Sequence, residues 1–303
     1  MGQWQGIWRK TPAPFRAVAW LIAGWLAISL AAVFIATHRF LPPWPETAPK
    51  VEWGAFEPVR LKTRDGLELG GWFLPSQQDR PSIIILHGYA QRRTSMLPMI
   101  RMYAERGCAV LALSARAHGD SSGFHNDIGY SARHDLFAAV NFLEEKRPGR
   151  PLVVHGVSMG AATAIYGSQE LGSRVSGYVL EAPYLDAWTA VDNFTQVWIP
   201  QPFACLAFQG FRLFGPWFLP EISAMSPLEQ LGGIPVSAPV LFLAGEKDRR
   251  ARPGEIARLL EKVAEHGTLS VFKGAGHEPY LLRHREQYLG TVEAFLAEVE
   301  QRR

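Results

Sequence analysis

The stretch Leu152-Val-Val-His-Gly-Val-Ser-Met-Gly160 decides the fold of this chain. A short apolar, β-branched run leads directly into Gly156-Val-Ser-Met-Gly160, and small residues then begin a helical pattern. Strand, tight turn and helix in this order would hold Ser158 at the apex in a strained backbone conformation, with its hydroxyl clear of the sheet. The two glycines would let strand and helix approach closely. A serine that merely caps a helix is the alternative, because a bare G-x-S-x-G pattern is common.

The composition is typical of a chain with a substantial buried core. Of 303 residues, 48% are hydrophobic and 19% are charged. The net charge of +3 is scattered along the sequence, so we expect no nucleic-acid partner. Cys108 and Cys205 form neither a disulfide framework nor a metal-ligand pattern. We also find no nucleotide-binding glycine pattern, and therefore expect neither a metal nor an organic cofactor.

Residues 17–37 carry no charge and consist mainly of Ala, Leu, Ile, Val and Trp. About 20 such residues span a bilayer as a helix. A cleaved signal peptide and a buried core helix are the alternatives, but no clear cleavage site follows, which favours a retained membrane anchor. The sequence thus predicts four parts: a juxtamembrane segment (1–16), a transmembrane helix (17–37), a stiff linker (38–58) and a large domain (59–303).

The flanking residues indicate how the span is oriented. Three basic residues precede it (Arg9, Lys10 and Arg16), whereas Arg39 and Lys50 follow it among acidic residues. The positive-inside rule then places the N-terminus in the cytoplasm and the large domain on the other side of the membrane. Tryptophans near both ends suit an interfacial aromatic belt: Trp4, Trp8, Trp20 and Trp44.

Beyond the linker, strand-like and helix-like stretches alternate. A hairpin signal, Arg64-Asp-Gly66, separates two strand-like runs. Further strands are predicted at Ser82–Leu86, 109–114, 152–157, 177–180, 238–244 and 269–272, and helices at 94–106, 132–145, 254–266 and 286–300. This alternation predicts an α/β fold with a mostly parallel central sheet and helices on both faces. Ligands of such sheets bind at the carboxyl ends of the strands.

A nucleophilic serine needs a base to remove its proton and a carboxylate to orient that base. One later strand ends at Asp248, and another leads into a glycine-rich loop that carries His277. The order Ser158, Asp248, His277 is a known order for such a triad. Glu246, two residues before Asp248, is a rival acid. Taken alone, Asp248 could instead cap the turn that follows it, and His277 could be an ordinary loop histidine.

The negative oxygen of a tetrahedral intermediate needs two hydrogen-bond donors. The backbone N–H of Met159, directly after the candidate nucleophile, is one. The backbone N–H of Tyr89 is the other, because Gly88 lets the loop after the strand at Ser82–Leu86 turn tightly. Three other histidines are interpreted as structural: His87, His118 and His155.

From about residue 59 to residue 295 the chain resembles α/β-hydrolases of the lysophospholipase and serine-aminopeptidase-like branch. The motifs that carry the resemblance are Asp65-Gly66, Gly71-Trp-Phe-Leu-Pro75, His87-Gly88, Arg116-Ala-His-Gly-Asp-Ser-Ser-Gly123, Gly156-Val-Ser-Met-Gly160, Glu181-Ala-Pro-Tyr184, Gly245-Glu-Lys-Asp248 and Gly276-His277. The resemblance implies an α/β-hydrolase fold with a lid insertion over the site. The branch includes esterases, lipases, thioesterases and peptidases, so it specifies the fold more closely than the substrate. Ala117 replaces a glycine common in the family, which should alter the shape of that loop without touching the triad.

The β–α rhythm breaks at about 187–237, where the lid is expected. This stretch is rich in Trp and Phe, and residues 199–219 carry a single charge, Arg212. An apolar face beside the site of a membrane-tethered domain favours an acyl chain or another lipophilic substrate. The sequence therefore predicts a membrane-anchored serine hydrolase that cleaves carboxylic esters and meets a small-molecule ester or lipid at the membrane. A peptidase, amidase or thioesterase, and a non-catalytic binding module, are the alternatives.

Overall fold

The structure, a computed structural model, describes residues 12–40 and 42–302. Most of the juxtamembrane segment, including Trp4, Trp8, Arg9 and Lys10, lies outside the described residues. The strands are β1 (Glu57–Lys62), β2 (Glu68–Leu74), β3 (Ser82–Leu86), β4 (Ala109–Leu113), β5 (Leu152–Val157), β6 (Gly177–Glu181), β7 (Val240–Gly245) and β8 (Gly267–Phe272). The helices are α1 (Ala13–Thr37), α2 (Leu97–Ala104), α3 (Arg133–Lys146), α4 (Met159–Leu171), α5 (Ala187–Trp198), α6 (Phe203–Phe218), α7 (Pro227–Gln230), α8 (Pro253–Glu261), α9 (Tyr280–Arg283) and α10 (Arg285–Gln301). Short 3₁₀ turns lie at Arg93–Met96, Gly172–Arg174, Ile222–Ala224 and Leu231–Gly233.

Within the described residues the strands form one eight-stranded sheet in the order β1-β2-β4-β3-β5-β6-β7-β8. The pairs β1–β2 and β2–β4 are antiparallel, and all other neighbours are parallel. The central strands β3, β4 and β6 are buried at every position, as their continuous apolar sequences predict. The predicted α/β-hydrolase architecture is thus confirmed.

The insertion between β6 and β7 contains α5, α6 and α7. Asp186 begins α5 by accepting a hydrogen bond from the backbone N–H of Thr189 at 2.8 Å. The apolar helix α1 packs along α6, and it is long and apolar enough to cross a membrane. Only 11% of its most apolar window is buried within the protein. A core helix of a soluble protein would be mostly buried, so this exposure favours a membrane segment over a core helix.

The segment after α1 has little regular structure but is held firmly by one carboxylate. Glu46 forms an ion pair with Arg93 at 3.2 Å, and both side chains are 2% exposed. Asp120 completes the cluster with hydrogen bonds to the same guanidinium. The backbone N–H of Trp44 also donates to the carbonyl of Gly119 at 2.8 Å. These contacts tie the segment to the loop that follows β4.

Candidate active site

Ser158 sits at the turn between β5 and α4, with a φ of +52°. A non-glycine residue in this left-handed region is strained, and the surrounding packing maintains the strain. A Cβ on Gly156 would lie 2.3 Å from the Gly160 carbonyl oxygen, and one on Gly160 would lie 2.3 Å from the Leu86 carbonyl oxygen. Both positions therefore require glycine, because the start of the helix touches the ends of two strands.

Asp248 and His277 come together at the carboxyl ends of β7 and β8. The Nδ1 of His277 lies 2.7 Å from the Oδ2 of Asp248, within hydrogen-bond distance. The other carboxylate oxygen accepts hydrogen bonds from the backbone N–H groups of Arg250 and Ala251 at 2.8 and 2.9 Å. Burial raises the pKa of Asp248, but the bond from His277 and the backbone donors outweigh it, so the pKa lies below its ordinary value. Asp248 is therefore suited to remain a carboxylate.

Glu246, the rival acid, lies elsewhere. Its side chain is exposed and accepts a hydrogen bond from the backbone N–H of Gly274 at 2.8 Å. A Cβ on Gly245 would lie 2.6 Å from the carbonyl oxygens of Ala275 and Gly276, so a glycine there lets the His277 loop approach the end of β7. Glu246 thus fastens the start of this loop, and Asp248 contacts the imidazole.

Ser158 and His277 line the same two cavities. The larger, of about 750 Å³, extends beneath the lid helices to α1; the smaller, of about 200 Å³, lies over the 3₁₀ turn at Arg93–Met96. Within the described part of the chain, the Ser158 hydroxyl has no hydrogen bond to a protein group. Bonds of this kind are often completed only when a substrate binds. The structure therefore brings the predicted nucleophile, base and acid to one edge of the sheet.

The two predicted oxyanion donors border the larger cavity. Among the described residues, the backbone N–H groups of Tyr89 and Met159 donate to no protein group. Gly88 and Gln91 close the loop that contains Tyr89, with the Gln91 side chain accepting a hydrogen bond from the Gly88 N–H at 3.0 Å. Two free donors beside Ser158 are what a developing oxyanion requires. The phenol of Tyr89 does something else, because it donates to the carbonyl of Ala36 in α1 at 3.1 Å.

The three other predicted structural histidines have partners that hold the site in shape. His87 bridges the carbonyl of Gly88 at 2.8 Å and the backbone N–H of Ala115 at 2.9 Å. Burial, with the nearby His118 and Arg93, disfavours the imidazolium and outweighs the hydrogen bond to Gly88, so the pKa of His87 falls to about 3. His118 bonds the carbonyl of Arg116, and the buried His155 bonds the phenol of Tyr103.

The loop at 116–123 is fixed by its arginine. Arg116 forms ion pairs with Asp135 and Asp65, both at 2.7 Å. Ala117 has a φ of +58°, the region that favours glycine. The chain thus tolerates alanine here at the expense of local strain, while the neighbouring ion pairs keep the loop in place.

One feature near the site was missed by sequence reasoning. Glu46 lies in the stretch interpreted as a linker, yet its carboxylate reaches Arg93, Thr94 and Ser114 beside the site. A lone glutamate among prolines gives no signal of a buried partner. No metal-binding group of His, Cys, Asp or Glu is found among the described residues.

Comparison with known proteins places this chain in a family. The model of the family "Serine aminopeptidase, S33" matches residues 77–230, about half of the chain. Protein bem46 of Schizosaccharomyces pombe is 26% identical over 67% of this chain and 64% of its own length. An uncharacterized membrane protein of Saccharomyces cerevisiae is 24% identical over 77% of this chain and 80% of its own length.

A solved structure, the Pyrococcus furiosus esterase Pf2001, superimposes with a TM-score of 0.70 at 24% identity, over 85% of this chain and 97% of its own. At this identity the likeness shows the fold, which agrees with the sheet order and the turn at Ser158. The resemblance inferred from the motifs is confirmed by the family match: this chain belongs to the serine aminopeptidase S33 family of α/β-hydrolases.

Proposed function

We propose that the protein is a membrane-anchored serine hydrolase that cleaves carboxylic esters through an acyl-enzyme. The observation that carries the proposal is the 2.7 Å contact between His277 and Asp248, with Ser158 on the same cavity. A hydrolase is what the family match supports, and the roles of these three residues are the added step.

In the proposed reaction the Oγ of Ser158 attacks the ester carbonyl while the Nε2 of His277 accepts its proton. Asp248 orients the imidazole and stabilises its charged form. The backbone N–H groups of Met159 and Tyr89 stabilise the oxyanion. Collapse of the intermediate expels the alcohol, which takes the proton from His277. Water, activated by the same histidine, then hydrolyses the acyl-enzyme and regenerates Ser158.

The chemistry of the cavities supports a lipophilic acyl group. The larger cavity is lined mainly by apolar and aromatic side chains, and Arg250 is its one residue of fixed charge among those described. Burying apolar surface stabilises a complex by about 25 cal/mol per Å². This apolar cavity is therefore suited to bind an acyl chain. The alcohol would then occupy the smaller, more polar cavity, where Arg250 and Glu278 are found.

Cleavage of an amide is the second candidate, because Glu278 places a carboxylate at the smaller cavity, where a substrate amino group could pair with it. However, Glu278 also lies 3.6 Å from the His284 imidazole, and Arg250 borders the same space. The mixed charge of this cavity favours the ester.

A panel of esters with acetyl to hexadecanoyl groups, together with aminoacyl anilides, tests the proposal on full-length protein in detergent. We expect turnover that rises with acyl length, labelling of Ser158 by a fluorophosphonate, and loss of both in folded Ser158→Ala. An unlabelled Ser158 in folded protein would refute catalysis by this residue. Turnover confined to anilides would establish the amidase, and turnover confined to short esters would refute the lipophilic substrate.

A further inference from the structure

One side of the larger cavity is formed by the membrane helix itself. The residues of α1 that line it come in pairs four positions apart, beginning at Trp20 and Leu21 and ending at Ala36 and Thr37. In a helix this spacing defines a single face. The neighbouring alanines Ala27 and Ala31 do not line the cavity and are exposed. The helix therefore presents one face to the cavity and another to its surroundings.

The helix is fastened in this position along its length. Gly210 of α6 lets the two helices meet, since a Cβ there would lie 2.2 Å from the Ser29 hydroxyl. The indole Nε1 of Trp25 donates to the carbonyl of Leu206 at 3.1 Å. At the other end, the backbone N–H of Arg39 donates to the carbonyl of Phe124 at 2.7 Å. Contact at both the middle and the end makes α1 a fixed part of the cavity.

The candidate catalytic groups lie at one end of the same cavity. Ser158 and His277 line it together with Ala36, whose carbonyl accepts the hydrogen bond from Tyr89. The last turn of α1 is therefore adjacent to a proposed oxyanion donor. No Asp, Glu or Lys of the described residues lines this cavity.

The outer surfaces of α1 and of the lid both carry exposed apolar side chains. Exposed large side chains on α5 and α6 include Trp198, Phe203, Leu213 and Trp217, of which Trp217 is 70% exposed. On α1, Val18 and Ile35 lie away from the cavity and are more than half exposed. The cavity-lining Leu21 and Ile28 are more than 70% exposed, so the cavity is open along this helix. Apolar area on this scale is unusual on a surface that faces water, and it suits a surface that faces lipid. The cavity thus lies between two helices whose outer surfaces are apolar.

We propose that α1 forms part of the acyl-binding site, and that the acyl chain of a bilayer ester lipid enters laterally along α1 to reach Ser158. The proposal rests on the proposed function and adds the source and route of the substrate. The anchor then has two roles, since the helix that holds the domain at the membrane also lines the binding site.

Substitution of adjacent alanines tests the role of α1. Ala32→Trp would fill the cavity, whereas Ala31→Trp is the matched control on the other face. For full-length protein in vesicles, we expect Ala32→Trp to lower the ratio of kcat/KM for hexadecanoyl over acetyl esters by about ten-fold or more. We expect Ala31→Trp to keep the wild-type ratio. An unchanged ratio in Ala32→Trp, or an equal fall in both variants, would overturn the proposal.

A measurement on the wild-type protein avoids dependence on variant folding. A fluorophosphonate with a long alkyl chain that ends in a diazirine phosphonylates serine, with loss of fluoride, and cross-links on illumination wherever the chain end lies. We expect cross-linked peptides from residues 20–36 and from α6. Labelled Ser158 with cross-links confined to other segments would overturn the inference alone. An unlabelled Ser158 would overturn the proposed function as well.

Discussion

The Nδ1 of His277 and the Oδ2 of Asp248 lie 2.7 Å apart, although the two residues are on separate loops of the chain. The Asp248 side chain is fully buried, while that of His277 remains 18% exposed. A buried acid behind a partly accessible imidazole leaves Nε2 free to face Ser158 and a substrate.

The first prediction concerns the choice between two neighbouring acids. Asp248→Asn should lower kcat by about four orders of magnitude, because an amide cannot hold the imidazole in the required tautomer. Glu246→Gln is the matched control and should keep kcat near the wild-type value, since Glu246 contacts Gly274 rather than the imidazole. Steady-state hydrolysis of a soluble ester measures both. A large loss in Glu246→Gln with activity retained in Asp248→Asn would reverse the assignment.

The second prediction concerns the turn at Ser158. Alanine favours helices, yet Gly160→Ala should lower the free energy of unfolding by about 1–3 kcal/mol, because its Cβ would overlap the Leu86 carbonyl. Gly290→Ala in α10 is the control: nothing lies within 4 Å of its Cβ position, so a gain of about 0.5–1 kcal/mol is expected.

Denaturant unfolding measures the stability of the two variants, and the rate of fluorophosphonate labelling measures the reactivity of Ser158 in each. The labelling rate should fall in Gly160→Ala because Ser158 is displaced, and should stay at the wild-type rate in Gly290→Ala. If Gly160→Ala were as stable and as reactive as the wild type, the inference that α4 and the end of β3 require a glycine at their contact would be wrong.

The third prediction concerns pH. The pKa of buried His87 is lowered from 6.5 to about 3, so between these values the unfolded chain binds a proton that the folded chain does not. His87 therefore contributes stability at neutral pH that is lost as pH falls below 6.5, by about 1.4 kcal/mol per pH unit. In His87→Gln this loss of stability with falling pH should be absent. Denaturant unfolding at a series of pH values between 6.5 and 4 gives the slope of the free energy of unfolding against pH for the wild type and for His87→Gln. Equal slopes would show that the pKa of His87 is not lowered by folding.

The fourth prediction concerns topology. Arg16 lies in the first turn of α1, ahead of its uncharged stretch, and further basic residues come before it in the sequence, so the N-terminus is expected in the cytoplasm. Protease added to spheroplasts should then digest the domain that carries Ser158, and inverted vesicles should protect it. An immunoblot against a C-terminal tag measures both preparations. Protection in spheroplasts together with digestion in inverted vesicles would place the domain in the cytoplasm.

Much of the fold could be predicted from local sequence because its signals are local. Buried parallel strands appear as short apolar runs, and β3 at Ser82–Leu86 begins and ends where the sequence indicates. The glycines around Ser158 mark a turn through backbone sterics alone. Helix ends differ more from the prediction: the predicted helix at 94–106 begins as a 3₁₀ turn and continues as α2, which ends at Ala104. Boundaries of this kind depend on tertiary packing.

The sequence by itself determined the strand–turn–helix at Ser158, the order of the candidate triad and a helix apolar enough to span a bilayer. Only the tertiary structure decided that Asp248 rather than Glu246 contacts His277. Both carboxylates lie on the same turn, and the path of the backbone through that turn decides which side chain points toward the imidazole. It also decided that α1 lines the cavity at Ser158. That contact depends on Ser29 meeting Gly210, far apart in the chain, and no local pattern encodes a contact between distant segments.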